Sequence, residues 1–397
     1  MSLKIGIFTD SYRPYTSGVV RSIETFSEEL QALGHEIYIF APEYPNHHQE
    51  HLHEKKVFRF SSIPAPTNHD YALAVPFSIR LRPTLKKLGL DVIHVHSPFL
   101  LGRLGARCAK KLNIPLVFTF HTLYDQYVHY VPIGQNITKG ITRKYCADFC
   151  NHCDLVIVPT GIIGDHLQRW GVKTEIQALP TGINIDSFRT KEKRWLYKKF
   201  NIGPTEKILI SVGRLGKEKN FSFILKSFSQ INLEYPQTTL VLVGSGPEKE
   251  ALVNSAKELG ILNKVIFTGT LSKEEIAKAY NSAHIFVFAS VTETQGLVVG
   301  EAKAAGLPTV AVKAFGISEM VVDNVDGFLT GLDISEFAGK VKLLLHDEDL
   351  WSIMSQNAFN NAEYISSTRC AQQLLNHYYN VIEKCNNNKK YKIGKLS

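Results

Sequence analysis

Three short stretches of this 397-residue chain carry the residue types best suited to chemistry, each just after an apolar run. In 212-VGRLGKEKN-220, Gly213 permits a tight turn while Arg214 and Lys219 bring two cations to what reads as a helix N-terminus, where free amides also favour an anion. Together they would hold a diphosphate, and they would equally serve as an ordinary strand-to-helix turn with exposed charges. In 243-VGSGPEKE-250, Gly244 and Gly246 would let a backbone approach a phosphate or nucleoside, although the full G-x-G-x-x-G fingerprint is missing. In 293-ETQGLVVGE-301, Glu293 lies in a loop, Gly296, Leu297 and Val298 span the passage into a helix, and Glu301 begins that helix. Amides flanked by two carboxylates suit a phosphate carrying a hydroxyl-rich group at each end. A helix-capping Glu293 with Glu301 as a surface acid is the plainer alternative.

The elements that must position these stretches repeat along the chain. Buried-strand patterns occur at 3-LKIGIFTD-10, 37-IYIFAP-42, 91-DVIHVH-96, 115-PLVFTFH-121, 154-DLVIVPT-160, 207-KILISVGR-214, 239-TLVLVGSG-246, 264-KVIFTGT-270, 284-HIFVFAS-290 and 308-PTVAVK-313. Helix-length patterns such as 18–36, 221–236 and 248–261 separate them. Continuous apolar strands alternating with helices predict an α/β protein with parallel sheets covered on both faces. The series divides near the polar stretch 182-GINIDSFRTKEKRW-195, which predicts two doubly wound, Rossmann-like domains, 1–185 and 196–365, facing a central cleft. The helical stretch 350–385 is long enough for 366–397 to pack back on the first domain, with a frayed tail from residue 386.

Composition narrows the function classes. The N-terminus shows no basic region leading into a long hydrophobic segment, and no run approaches the roughly 20 apolar residues that span a bilayer, so a cytoplasmic protein is expected. Six cysteines then read as free thiols. The net charge is +8, and between Lys55 and Lys144 there are 14 Lys and Arg against three acids, Asp70, Asp91 and Asp125. Such a basic first half suits an anionic membrane, an anionic substrate or simply a solvated surface.

In order and spacing, 213-GRLGKEKN, 244-GSGP, 269-GTL, the Glu293–Glu301 pair, 304-AAGLPTVA-311, 316-GISEMV-321 and 326-DGFL-329 resemble the retaining, nucleotide-sugar-dependent glycosyltransferases of family 4, which have the GT-B fold. The N-terminal stretches 5-IGIFTDSYRPYTSGVVRS-22 and 117-VFTFHTLYDQY-127 fall where that family has its glycine loop and active-site histidine, so the resemblance covers nearly the whole chain. It implies that Arg214 and Lys219 bind the donor diphosphate, with help from Gly213, Gly244, Gly246, Gly269 and the backbone of Gly296, Leu297 and Val298. It further implies that Glu301 accepts from ribose hydroxyls, Glu293 contacts the transferred sugar, His121 lies near that sugar, and Gly18 lets the N-terminal loop close. The family's reaction is a front-face substitution in which the leaving diphosphate helps deprotonate the acceptor. With two cations at the phosphates and no acidic D-x-D cluster, no metal and no cofactor beyond the donor substrate are expected.

Two details refine the resemblance. Gln295 stands where many members have an aromatic residue, and 292-TETQGL-297 with 119-TFHTLYDQYVHYVP-132 resembles the subgroup that glycosylates diacylglycerol, pointing to UDP-glucose as donor. The usual pair of glycines appears as 17-SG-18, a change that bears on loop mobility. The stretch 77-FSIRLRPTLKKLGL-90 interleaves Phe77, Ile79, Leu81 and Leu85 with Arg80, Arg82, Lys86 and Lys87, a basic amphipathic pattern that would seat the enzyme peripherally on the inner face of the cell membrane, or else a core-facing helix with a charged outer side. A mannosyl- or other glycosyltransferase acting on a soluble or phosphoinositide acceptor, or a sugar-nucleotide epimerase, uses the same architecture. Nothing resembles a nucleic-acid reader. The cysteines of 146-CADFCNHC-153 read as one buried helix face rather than a zinc site, and His47, His48, His51 and His53 as a solvated loop.

Overall fold

A computed structural model describes residues 2–44, 55–65, 68–126 and 135–394. The four histidines at 47–53 and the second half of the 119–132 stretch lie outside the described residues. The chain forms two compact units, residues 1–182 with 367–397, and residues 183–366.

In chain order the first unit contains β1 (Lys4–Phe8), α1 (Gly18–Ala32), β2 (Glu36–Pro42), β3 (Val57–Phe60), β4 (Ser62–Ala65), β5 (Asn68–Ala74), α2 (Leu81–Leu88), β6 (Val92–Val95), α3 (Leu100–Leu112), β7 (Leu116–Thr119), α4 (Gln135–Cys150), β8 (Leu155–Val158), α5 (Gly161–Arg169) and β9 (Ile176–Ala178). Its sheet is parallel in the order β3-β2-β1-β6-β7-β8-β9, and β4 and β5 form a separate antiparallel pair. Ser17 starts α1 by accepting from the Val20 amide at 3.3 Å. Val20, Ile23, Phe26 and Leu30 then recur at helical spacing on the buried face.

The second unit contains α6 (Trp195–Lys199), β10 (Lys207–Val212), α7 (Phe221–Glu234), β11 (Thr238–Val243), α8 (Lys249–Glu258), β12 (Val265–Gly269), α9 (Lys273–Ser282), β13 (Ile285–Phe288), α10 (Leu297–Ala304), β14 (Thr309–Val312), α11 (Ile317–Met320), β15 (Gly327–Thr330), α12 (Ile334–His346) and α13 (Glu348–Asn361). Its six parallel strands run β12-β11-β10-β13-β14-β15. Ile208, Ile210 and Val212 face one core while Leu209 faces the other, so the strand is apolar on both faces but for the buried Ser211 and the half-buried Lys207 at its start. In both units the order reverses beside the first strand, between β1 and β6 and between β10 and β13; ligands of open α/β sheets bind at the carboxyl ends of such a pair.

The structure differs from the sequence reading in several places. The polar stretch expected at the division belongs to the second unit from Ile183 onward, because Ile183, Ile185 and Phe188 are buried in its core. Helix 350–385 is broken: α13 ends at Asn361, a 3-10 turn covers Ala362–Ile365, and α14 (Ser367–Gly394) starts anew. Through Cys370, Ala371, Leu374, Leu375, Tyr378 and Val381, α14 joins the core of the first unit against α1. Ser367 and Thr368 donate to Glu29 of α1 at 2.5 and 3.1 Å. The expected frayed tail is helical through Gly394. Strands β3, β4, β5 and β15 escaped the pattern because they are short or lack a continuous apolar run.

Candidate functional site

The carboxyl ends of β10 and β13 bring the predicted second-unit residues together. After β10, a 3-10 turn over Lys217–Lys219 and a left-handed Asn220 (φ 54°) aim Lys219 back over the sheet before Phe221 anchors α7 in the core. After β13, the loop carries Ser290 and Glu293. Lys219 Nζ and Glu293 Oε1 form an ion pair, with side-chain exposures of 21% and 18%. The Ser290 hydroxyl lies 2.9 Å from the same carboxylate oxygen and 3.2 Å from the Glu218 carbonyl, tying the two loops across the switch point. Gly316 donates its amide to the Glu293 carbonyl at 3.0 Å, and a Cβ there would lie 2.1 Å from the Thr294 carbonyl oxygen. Arg214 is exposed on the neighbouring turn.

Gly296 is the N-cap of α10, with φ +86°, and a Cβ would meet Ile317 Cδ1 at 2.3 Å. Only glycine satisfies both demands, and it brings the leading amides of Leu297 and Val298 to the helix N-terminus, where partial positive charge gathers. Glu301 is the fifth residue of α10, not its first, and it is buried at 5% exposure. It is therefore no surface acid. The Tyr280 hydroxyl donates to Glu301 Oε2 at 3.2 Å and lies 3.3 Å from the Val298 carbonyl. Glu293 is no helix cap either.

Gly244 and Gly246 serve close backbone contacts within the protein. A Cβ at Gly244 would lie 2.0 Å from the Gly213 carbonyl oxygen, and one at Gly246 would lie 2.4 Å from that of Leu215. The Gly213 amide donates to Val243 at 3.0 Å and the Gly244 amide to Gly269 at 2.9 Å, so these turns are stitched edge to edge along the ends of β10, β11 and β12. Gly269 adopts φ +73°. Gly18 is the exposed first residue of α1.

The first unit has its own cluster at the ends of β1, β6 and β7. His121, partly exposed just past β7, pairs its Nε2 with His96 Nδ1 at 2.8 Å, the rings stacked 5.1 Å apart. His94 shares the face of β6 with His96, and its Nδ1 meets the Tyr378 hydroxyl of α14 at 2.6 Å while its Nε2 meets Thr119 Oγ1 at 2.7 Å. Burial pulls His94 and His121 down to about 3 and His96 well below its ordinary value, so all three are neutral at neutral pH. Asp10, after β1, accepts from the Ser97 hydroxyl and, at 2.7 Å, from the Leu101 amide at the start of α3. Its burial raises the carboxyl pKa against the pull of those bonds.

Sequence reasoning missed Asp10, His96, Tyr280 and Ser290. The i, i+2 spacing of His94 and His96 in 91-DVIHVH-96 was the available signal, since period two puts both on one face. Cys146 and Cys150 are buried on α4, whereas Cys153 lies beyond the end of the helix; burial raises all three thiols. Among the described residues no three His, Cys, Asp or Glu side chains gather as a metal-binding group.

Comparison with known proteins gives the family. Residues 193–361 match the model of glycosyl transferases group 1, and residues 16–187 match that of glycosyltransferase family 4. An alpha-monoglucosyldiacylglycerol synthase of Streptococcus pneumoniae is 34% identical over 332 residues, covering 82% of this chain and 75% of the relative. Its namesake from Acholeplasma laidlawii is 32% identical over 406 residues, covering 98% and 99%. This chain belongs to glycosyltransferase family 4. Among solved structures, Anabaena HepE in complex with UDP and glucose superposes with a TM-score of 0.76 at 19% identity, covering 95% of this chain and all of that one. Sucrose-phosphate synthase from Thermosynechococcus elongatus reaches the same score at 21% identity, covering 96% of this chain and 100% of the synthase. The fold of this glycosyltransferase is GT-B.

Proposed function

We propose that this glycosyltransferase moves glucose from UDP-glucose to a hydroxyl of diacylglycerol at an anionic membrane surface, with retention of anomeric configuration and without a metal ion. The observation that carries the donor half is the Lys219–Glu293 pair at the switch point, beside the glycine-led N-terminus of α10. In this reading the diphosphate takes Lys219 from its carboxylate partner, with Arg214 as second cation and the Leu297 and Val298 amides as further donors. Glu293, released, accepts from sugar hydroxyls, and Glu301 from the ribose. As the bond from the anomeric carbon to the phosphate oxygen lengthens, negative charge grows on the leaving diphosphate, where the two cations act most strongly. That oxygen takes the acceptor proton as the acceptor oxygen joins the same face. His121 is the residue this reading assigns to contact with the transferred sugar.

The acceptor half rests on the two synthase relatives and on one surface of the first unit. Phe77 and Ile79 are 73% and 81% exposed immediately before α2, whose Arg82, Lys86 and Lys87 are also exposed. Apolar side chains beside cations suit insertion at the boundary of anionic lipid. Among the described residues no helix is long and apolar enough to cross a membrane.

The test is incubation of the purified protein with radiolabelled UDP-glucose and vesicles of anionic phospholipid with or without diacylglycerol. Label in the organic phase only with diacylglycerol is the expected result. Donor hydrolysis without organic label turns the acceptor toward soluble hydroxyl compounds. Turnover with GDP-mannose alone would replace the donor, in line with the GDP-mannose-dependent alpha-mannosyltransferase of Corynebacterium glutamicum, 27% identical over 389 residues.

A further inference from the structure

One buried hydroxyl touches both sides of the Lys219–Glu293 pair. Ser290 comes two residues after β13, is wholly buried, and lies 2.9 Å from Glu293 Oε1 and 3.2 Å from the carbonyl oxygen of Glu218, the residue before Lys219. Lys219 Nζ meets the same Oε1. Oε2 is therefore the carboxylate oxygen that a ligand would meet, on a side chain 18% exposed.

A serine hydroxyl carries one proton to share between these two acceptors. A hydrogen bond to a carboxylate is roughly twice as strong as one to a neutral carbonyl, and here the carboxylate is also the nearer, so the proton goes to Glu293. The two partners of Oε1 differ in how they hold it. Lys219 is a point charge on a flexible stem, and in the donor reading it leaves for the diphosphate. Ser290 has a short side chain with little freedom to lose, set just beyond a buried strand, so it stays. The last torsion of a glutamate is broad, and a carboxylate that had lost its lysine would turn unless something else fixed it.

We propose that Ser290 is a positioning residue that keeps Glu293 Oε1 in place after Lys219 has turned to the diphosphate, so that Oε2 stands ready for a hydroxyl of the transferred sugar. The inference rests on the reading that Glu293 accepts from that sugar. Its contribution is preorganisation: a contact made before the donor arrives lowers the cost of fixing the carboxylate when it binds. The hold on the diphosphate falls instead to the two cations and the amides of α10.

The experiment is titration calorimetry on the full chain without acceptor, using UDP-glucose and the β-methyl ester of UDP, which carries the same charge and no sugar hydroxyls. The ratio of the two dissociation constants isolates the sugar. Ser290→Ala should shift that ratio against UDP-glucose by about tenfold, the worth of one hydrogen bond to a charged group, while the methyl ester binds within about twofold of wild type. Glu293→Ala should shift the ratio at least as far, and adding Ser290→Ala to it should shift the ratio no further. Ser290→Cys, which offers only a weak donor, should shift it less than Ser290→Ala, and it decides the matter where the alanine variant does not fold. An unchanged ratio in the Ser290 variants beside a shifted one in Glu293→Ala overturns the positioning role alone. An equal loss for both ligands, or a further shift in the double variant, overturns it too, since the hydroxyl would then act other than through Glu293. An unchanged ratio in Glu293→Ala overturns the sugar contact itself, and the proposal with it, so the two failures are seen separately.

Discussion

Replacing Lys219 with Ala separates a lysine that serves chemistry from one that serves the fold. At about 4 Å and an effective dielectric constant near 20, one unit charge on the leaving diphosphate gains about 4 kcal/mol from the Lys219 ammonium. Removing one preorganised donor to such a charge costs about 2.7 to 4 kcal/mol, or about 10²- to 10³-fold in turnover. Stability should respond far less. The pair keeps contact with water, at 21% and 18% exposure, and Glu293 retains the Ser290 hydroxyl 2.9 Å away. A partly solvated pair is worth roughly 1 kcal/mol, which for a domain of this size shifts Tm by about 2–4 °C. The assay is initial rate of radiolabelled glucose transfer at saturating donor, beside thermal unfolding of the same preparation. Lys219→Arg, which keeps the charge, should recover part of the rate. A fall of less than about tenfold in Lys219→Ala would refute the role argued from charge at the leaving group. A large Tm loss with proportional loss of activity would make Lys219 a structural residue.

Two further predictions concern stability. Lys303, 6% exposed, pairs with the fully buried Asp326 at 2.6 Å and donates to the Met320 carbonyl at 3.0 Å, so Lys303→Met should cost about 3–5 kcal/mol in urea unfolding by leaving Asp326 with Asn361 and the Val322 amide. A loss under about 1 kcal/mol would show that the pair is not felt. His94 ordinarily titrates at 6.5 and is held at about 3 in the folded chain, so the unfolded chain binds the extra proton and stability falls as pH drops through 6.5 toward 3. At pH 5.5 the cost from His94 alone is about 1.4 kcal/mol relative to pH 8, and His94→Gln should remove that share; a wild-type protein equally stable at both values would contradict it.

Much of the fold was legible because parallel strands buried on both faces are apolar along most of their length. Runs such as 207-KILISV-212 and 284-HIFVF-288 announce themselves for that reason. β3 and β15 did not, since Arg59 and Gly327 interrupt the signal at the sheet edges. The break after Asn361 was hidden as well. The sequence 362-AEYIS-366 is as compatible with helix as its flanks, and the turn exists because α13 belongs to one unit and α14 to the other.

By itself the sequence determined the two doubly wound series, the family, and the stretches that hold Arg214, Lys219, Glu293, Gly296 and Glu301, because residue type and period act locally. Tertiary structure alone decided partnership. It joined Lys219 to Glu293, 74 positions away, buried Glu301 under Tyr280, and set His96 against His121 from the next strand. It also spent the glycines at 244 and 246 on close backbone packing that no spacing rule reveals. Contacts between strand ends depend on strand order, and strand order follows from which sheet buries the most apolar surface, a property of the whole chain rather than of any window within it.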